Sequence, residues 1–276
     1  MNIFKYNLFA TPIIEVYNQH LNNDACQSIT ILSANLKHTW PKRDFPIARL
    51  KNFVSLISQK QADILLLQEV MRTEDTQVNQ WLADQLNMNM VYSRTNGDRF
   101  SIRFEEGLAI LSRFPVLKTE QLFLKSAFHP FVRRQALAAY LATPCGEILA
   151  ISTHLSITPW QNRLQLQRIQ TWIEGKSKSA VLGGDFNAME HTQRIARLQN
   201  KWIDTLRQLH PHIPSLFTHK LKLPFGKEIN QRLDYIFLIQ GKPQWKILES
   251  GIELAHQFSD HLAVWTKLAP IYAYSP

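Results

Sequence analysis

The sequence predicts an α/β domain that mixes parallel and antiparallel strands. Three observations predict it. Residues 28–87 alternate apolar runs of strand length with amphipathic helical segments, the order that parallel βαβ units produce. Residues 91–153 then hold apolar runs with short connections between them, which is the spacing of antiparallel hairpins. Finally, the unusual polar residues sit at the ends of the apolar runs rather than being scattered among them.

Residues 1–27 carry Ile3, Phe4, Leu8, Phe9, Ile13 and Ile14 without a clean period. They read as an N-terminal extension packing on a single domain of residues 28–267, and 268–276 reads as a C-terminal tail. Residues 28–36 are the first core strand, ending near Asn35, and 41–45 are a loop. The helix at 47–60 gathers Leu50, Phe53, Val54 and Ile57 on one face. A second buried strand, 64–67, ends in Gln68-Glu69. Residues 75–87 form the next amphipathic helix, with Val78, Trp81, Leu82 and Leu86 on its apolar side. Strands are expected at 91–92, 108–111, 116–124, 136–142 and 148–153. Residues 160–174 return to helix with Leu166, Ile169 and Ile173 inward. A short strand at 180–184 and a helix at 190–199 follow. Residues 205–230, rich in Pro, His and Lys, read as loops. Strands at 233–239, 245–252 and 262–266 close the chain.

At 276 residues the chain has room for one large or two small domains, and no linker divides it. Hydrophobic residues make up 45% and charged residues 19%, the balance of a soluble globular protein. No run of 18 apolar residues is present, so no stable membrane insertion is expected. Lys5 is the only early charge, Asn7 interrupts the apolar start, and no small-residue cleavage site follows. Cys26 and Cys145 are too few for a disulfide framework, and there is no Cys-x-x-Cys pair for zinc. A monomer in the reducing cytoplasm is the expectation. The net charge of +9 favours polyanionic partners, nucleic acid or acidic lipid, although no block of five or more Lys/Arg occurs.

The chemistry centres on Gly183-Gly184-Asp185-Phe186-Asn187-Ala188. Two glycines let the backbone turn sharply and approach a ligand closely. Asp185 and Asn187, two apart in an extended segment, would point the same way. Such a pair suits a hydrated hard cation beside a phosphate, although the same residue types after a strand commonly form turns. Asn35, Glu69, His154 and the Asp185/Asn187 pair follow their strands; Glu106, Arg134, Asp234 and the Asp260-His261 pair precede theirs. If the second set runs antiparallel to the first, all of them reach one rim, where α/β sheets bind ligands. Arg163 and Gln167, four apart on a helix face, either brace the His154 loop or are solvated. His191, His210, His212 and His219 read as loop histidines without zinc-like spacing.

The ordered series Asn35, Gln68-Glu69, Glu106-Gly107-Leu108-Ala109, Thr153-His154, Gly184-Asp185-Phe186-Asn187, Leu233-Asp234-Tyr235 and Ser259-Asp260-His261 resembles the endonuclease/exonuclease/phosphatase superfamily, the DNase I-like fold. The resemblance implies a four-layer α/β sandwich, two mixed β-sheets packed face to face with helices outside. It also implies hydrolysis of phosphodiester bonds with a divalent metal, Mg²⁺, for which Mn²⁺ can substitute. Glu69 would be the main metal ligand, helped by Asn35 and by Asp260, directly or through water. His261, oriented by Asp234, would be a general base or a phosphate-stabilising acid. His154, oriented by Glu106, would be a general acid or a donor to the phosphate. Asp185 and Asn187 would position water and a phosphate oxygen, and Arg134 would contact the phosphate. Whether Asp185 or His261 takes the proton stays open. His154 departs from the apurinic-site endonuclease branch, which has tyrosine there. Asn230-Gln231-Arg232-Leu233-Asp234 lacks the Trp-Cys-Asp-Arg signature of the inositol polyphosphate 5-phosphatases. Glu106-Gly107 and Leu233-Asp234-Tyr235 are similar to the deadenylase-like and sphingomyelinase-like branches. A nuclease is therefore the first expectation. A phospholipid or sphingomyelin phosphodiesterase is the alternative, with Phe128, Pro130, Phe131, Trp160 and Phe225 as a conceivable docking surface. A non-catalytic nucleic-acid-binding protein on the same fold is the alternative of another class.

Overall fold

Strand β2 (Ile29–Asn35) is buried along its whole length, and so are the first residues of β3 (Ile64–Arg72). Such continuous apolar runs need cover on both faces. They find it in a computed structural model that describes residues 13–18, 27–42, 46–125, 132–214, 216–222 and 228–271. Strands β2 and β3 pair in parallel, joined by helix α1 (Ile47–Lys60), whose Leu50, Phe53, Leu56 and Ile57 are buried against them. Helix α2 (Val78–Leu86) packs beside α1 and leads into the antiparallel pair β4 (Asn89–Asp98) and β5 (Phe104–Ser112). β5 lies against β3, also antiparallel.

The chain then builds a second sheet. β6 (Val116–Leu124), β7 (Arg134–Thr143) and β8 (Gly146–His154) form an antiparallel meander. Helix α3 (Pro159–Glu174) crosses over to β9 (Ala180–Asp185), which runs parallel to β8. After helix α4 (Gln193–Gln199) come β10 (Ile203–Asp204), helix α5 (Thr205–Leu209) and a hairpin of β11 (His219–Lys222) and β12 (Glu228–Gln231). β13 (Asp234–Ile239) adds antiparallel to β9. β14 (Trp245–Ile252) and β15 (Val264–Pro270) return to the first sheet beside β2. The first sheet has the order β1-β4-β5-β3-β2-β15-β14, where β1 is Ile14–Tyr17, and the second β10-β13-β9-β8-β7-β6.

Side-chain alternation divides the core into three layers. Ile31, Leu66 and Ile110 of the first sheet meet Leu137, Ile148 and Val181 of the second between the sheets. Leu32, Leu65 and Leu67 face α1 and α2. Leu149, Ile151 and Leu182 face α3 and α4 through Leu166, Ile169 and Ile195. This is the four-layer α/β sandwich with helices outside.

Some boundaries differ from the sequence reading. Residues 205–230 are not all loop: α5 and the β11–β12 hairpin lie there, in a stretch whose polar side chains hide the strand period. The helix expected from residue 190 starts at Gln193. Part of the N-terminal segment is strand β1, held by Glu15 on the buried Arg72 at 2.8 and 3.1 Å. β15 runs through Pro270, past the expected end of the domain at 267. Residues 43–45 and Cys26, Phe128, Pro130, Phe131 and Phe225 lie outside the described residues. Among the described residues no helix is long and apolar enough to cross a membrane.

Candidate active site

Pairing alone brings the polar strand ends together. Register sets His154 beside Asp185 across β8 and β9, and Asp185 opposite Asp234 across β9 and β13. Asn35 pairs with Gln68 across β2 and β3, and Glu106 lies opposite Met71 across β3 and β5. Glu69 itself falls in a bulge with φ +52°, which re-aims its side chain toward the rim. Asn35 joins the two sheets there: its Nδ2 donates to Glu69 Oε1 (3.0 Å) and to Asp185 Oδ2 (3.3 Å).

Asp185 is the hub. Its Oδ2 lies 3.5 Å from His154 Nε2 and 3.8 Å from His261 Nε2, and its Oδ1 accepts from the Asn187 backbone N–H at 2.9 Å. His261 Nδ1 pairs with Asp234 Oδ2 at 2.8 Å. These groups are buried and their protonation diverges. Burial alone would lower the His261 imidazolium, but Asp234, Asp185 and Asp260 outweigh it and push it up to about 10. Burial and the neighbouring Asp234 push the Asp185 carboxyl up to about 7. Burial, with Arg134 and His261 nearby, holds His154 well below the usual histidine range, so it is neutral at pH 7.

Across from this cluster a cleft is lined by Glu69, Glu106, Arg134 and His154. Glu106 accepts from Asn96 Nδ2 at 2.6 Å, and burial together with the Glu69 charge raises its carboxyl. One donor atom from each of His38, Glu69 and Glu106 lies within 4.8 Å of the others. Two carboxylates converge there with Arg134 in the same cleft, an oxygen-rich set that suits a divalent cation. Asp185, Asp234 and His261 form a second group as close. There the His261 ring lies against both the Asp234 and the Asp185 carboxyls.

Several expectations change. Asn35 turns its nitrogen, not its oxygen, to Glu69, because Oδ1 accepts the Lys37 N–H at 3.0 Å. Asp260 is ion-paired with Lys37 at 2.6 Å and belongs to neither group of close donors. The carboxylate beside His154 is Asp185; Glu106 is engaged by Asn96. Asn187 has φ +47° and donates through Nδ2 to Leu155 O at 3.0 Å, so it does not share an extended segment with Asp185. Gly183 and Gly184 lie inside β9 rather than in a turn. A Cβ on Gly183 would meet Leu66 Cδ1 at 2.7 Å across the sheets, and one on Gly184 would meet Thr153 O at 1.9 Å. Arg134 lies in the cleft, with its Nε buried and without a hydrogen-bond partner among the described residues.

Three residues escaped sequence reasoning. His38 sits three positions after Asn35, a spacing that marks the strand-end loop but no role. Thr218 is fully buried and its Oγ1 accepts from the N–H groups of Leu233 (3.0 Å) and Asp234 (3.1 Å), while its carbonyl accepts from Leu262 N at 2.7 Å. It ties the Asp234 and His261 segments together, and nothing in its local sequence signals this. His219, read as a loop histidine, lies with its ring centroid 4.6 Å from that of His261.

Residues 32–261 match the model of the Endonuclease/Exonuclease/phosphatase family. Solved structures share the DNase I-like fold. D. rerio TDP2 complexed with single strand DNA product is 18% identical, with a TM-score of 0.70 over 88% of this chain and 99% of that one. A family protein from Leptotrichia buccalis is 20% identical, with a TM-score of 0.66 over 86% of this chain and 98% of that one. One from Bacteroides vulgatus is 17% identical, with a TM-score of 0.69 over 88% and 99%. At these identities the likeness is one of fold. No curated protein sequence matches.

Proposed function

This chain belongs to the endonuclease/exonuclease/phosphatase family, and from that premise we propose that it is a divalent-metal-dependent phosphodiesterase acting on nucleic acid. The observation that carries the reading is the convergence at one rim: Asp185 Oδ2 lies 3.5 Å from His154 and 3.8 Å from His261, and donor atoms of His38, Glu69 and Glu106 lie within 4.8 Å of one another beside it. A phosphodiester is anionic, so its cleavage needs charge neutralisation and an aligned water. Bound by Glu69 and Glu106, the metal would neutralise phosphate charge and polarise the scissile group. Asp185, poised near neutrality, takes the proton from the attacking water. His261, kept protonated by Asp234, donates to a phosphate oxygen. His154, neutral and held beside Asp185, contributes a ring N–H to the phosphate. Arg134, which lines the cleft, reaches a non-bridging oxygen.

Nucleic acid is favoured over lipid by the +9 net charge and by Trp40. That ring is 42% exposed and packs on Phe104, which in turn contacts His38 beside Glu69. A base can stack there. The structure of this fold with a single-strand DNA product agrees with the reading. One observation favours the lipid alternative: Ile157, Trp160 and Leu164, exposed by 73%, 58% and 51%, follow His154 directly. A substrate panel decides. Plasmid DNA, single-stranded DNA, RNA and sphingomyelin vesicles are each incubated with Mg²⁺ and with chelator. The reading expects metal-dependent cleavage of a nucleic acid, slowed by roughly 10²-fold or more in His154→Ala and in His261→Ala. Release of lipid head groups with nucleic acids intact would reverse the assignment.

A further inference from the structure

We infer that His38 supplies an imidazole nitrogen to the cation held by Glu69 and Glu106, so that this site prefers Mn²⁺ over Mg²⁺ more strongly than an all-oxygen site does. The inference rests on the metal-dependent reading above. Its basis is how the chain leaves β2. Lys37 has φ +51°, a left-handed conformation held by Asn35 Oδ1 accepting its N–H. The turn sends the Lys37 ammonium outward to Asp260 and swings His38 over Glu69. The His38 N–H then donates to Glu69 Oε2 at 3.2 Å, while its ring Nε2 lies 3.6 Å from the same oxygen.

Hydrogen bonding among the described residues does not account for the ring's placement. A separation of 3.6 Å is too long for a good hydrogen bond, and His38 Nδ1 is buried without a partner among the described residues. Packing fixes the ring instead: it stands edge-on to Phe104, with centroids 5.3 Å apart and planes at 75°. An imidazole nitrogen is thus held against a carboxylate, and a second carboxylate, Glu106, has a donor atom within 4.8 Å of both. Mg²⁺ takes oxygen ligands almost exclusively, whereas first-row transition ions accept imidazole readily. Mn²⁺ is the weakest nitrogen binder of that row, so a preference detected with it is a conservative test.

The full-length, metal-free protein is titrated with Mn²⁺, and free ion is followed by electron paramagnetic resonance. The expected result is a bound ion whose pulsed spectrum carries nitrogen coupling. That coupling disappears in His38→Ala and His38→Gln and persists in His154→Ala and His261→Ala. In competition, His38→Ala weakens Mn²⁺ by ~10-fold or more, in the range typical of disturbed metal sites, and leaves Mg²⁺ affinity nearly unchanged. His38→Gln, which keeps a polar side chain at the position, guards against a folding artefact. No nitrogen coupling in the wild type, coupling that survives His38→Ala, or equal losses of Mn²⁺ and Mg²⁺ would each overturn the inference while leaving a metal site in place. Failure to bind Mn²⁺ at all would overturn the metal-dependent reading with it.

Discussion

Asp185 titrates near pH 7 between His154, which is neutral there, and His261, which holds its proton to about pH 10. On the proposed mechanism the active form has Asp185 ionised and His261 charged. Activity therefore rises as pH climbs through about 7 and falls as pH approaches 10. The upper limb is set by Asp234, whose carboxylate accepts from His261 Nδ1 at 2.8 Å and raises its pKa. Asp234→Asn removes that charge, so the His261 pKa falls and the alkaline limb moves to lower pH. A kcat/KM profile of wild type and variant reads this directly; an unmoved limb would separate His261 from the reaction. These residues were visible in the sequence as strand ends, but their division of labour was not. The sequence left the proton acceptor open between Asp185 and His261, because a pKa depends on burial and neighbours that no linear pattern contains.

Strand β9 shows how an element can carry a site. Its register with β8 and β13 is what sets Asp185 against His154 and Asp234. Gly184 makes the close approach possible: its φ is +153°, and an added Cβ would lie 1.9 Å from Thr153 O, the backbone of the paired strand. Gly184→Ala must push β8 and β9 apart, since the obstructing atom is backbone and cannot rotate away. The expected cost is about 3 kcal/mol, the upper range for overpacking. It is measurable as a lowered denaturation midpoint, with activity falling further because His154 and Asp185 separate. A variant as stable and active as wild type would show that the register is held elsewhere. The sequence marked these glycines correctly as points of close approach but assigned them to a turn around a ligand. Local sequence does not reveal that the thing approached is another strand.

The two sheets meet with their polar strand ends on one rim, so a basic molecule presents a concentrated acidic cleft bordered by Arg134 and by the Trp40–Phe104 pair. A chain carrying +9 net charge gathers polyanions over distances that salt screens. Single-stranded DNA affinity should drop on the order of 10-fold between 50 and 200 mM salt, each neutralised phosphate adding about 0.7 to the logarithmic slope. Trp40→Ala should weaken single-stranded DNA by ~10-fold without changing that slope, since stacking carries no counterions. Fluorescence anisotropy with chelator present measures both. A flat salt response would place substrate recognition away from charge and toward the exposed Ile157, Trp160 and Leu164.

Period and order in the chain determined the strand–helix succession, the mixed sheets and the set of residues that reach the rim. These properties are local: a buried strand must be apolar along its length, and its first polar residue must lie where cover ends. Tertiary structure alone decided which of those residues touch. It set Asn35 between Glu69 and Asp185, paired Asp260 with Lys37, placed Asp185 beside His154 and Asn96 on Glu106, and brought His38 and Thr218 to the rim. Those outcomes depend on register, bulges and positive-φ turns, which are fixed by contacts between segments far apart in sequence. A displacement of a few ångströms, invisible in any hydrophobic pattern, decides which acceptor a side chain meets.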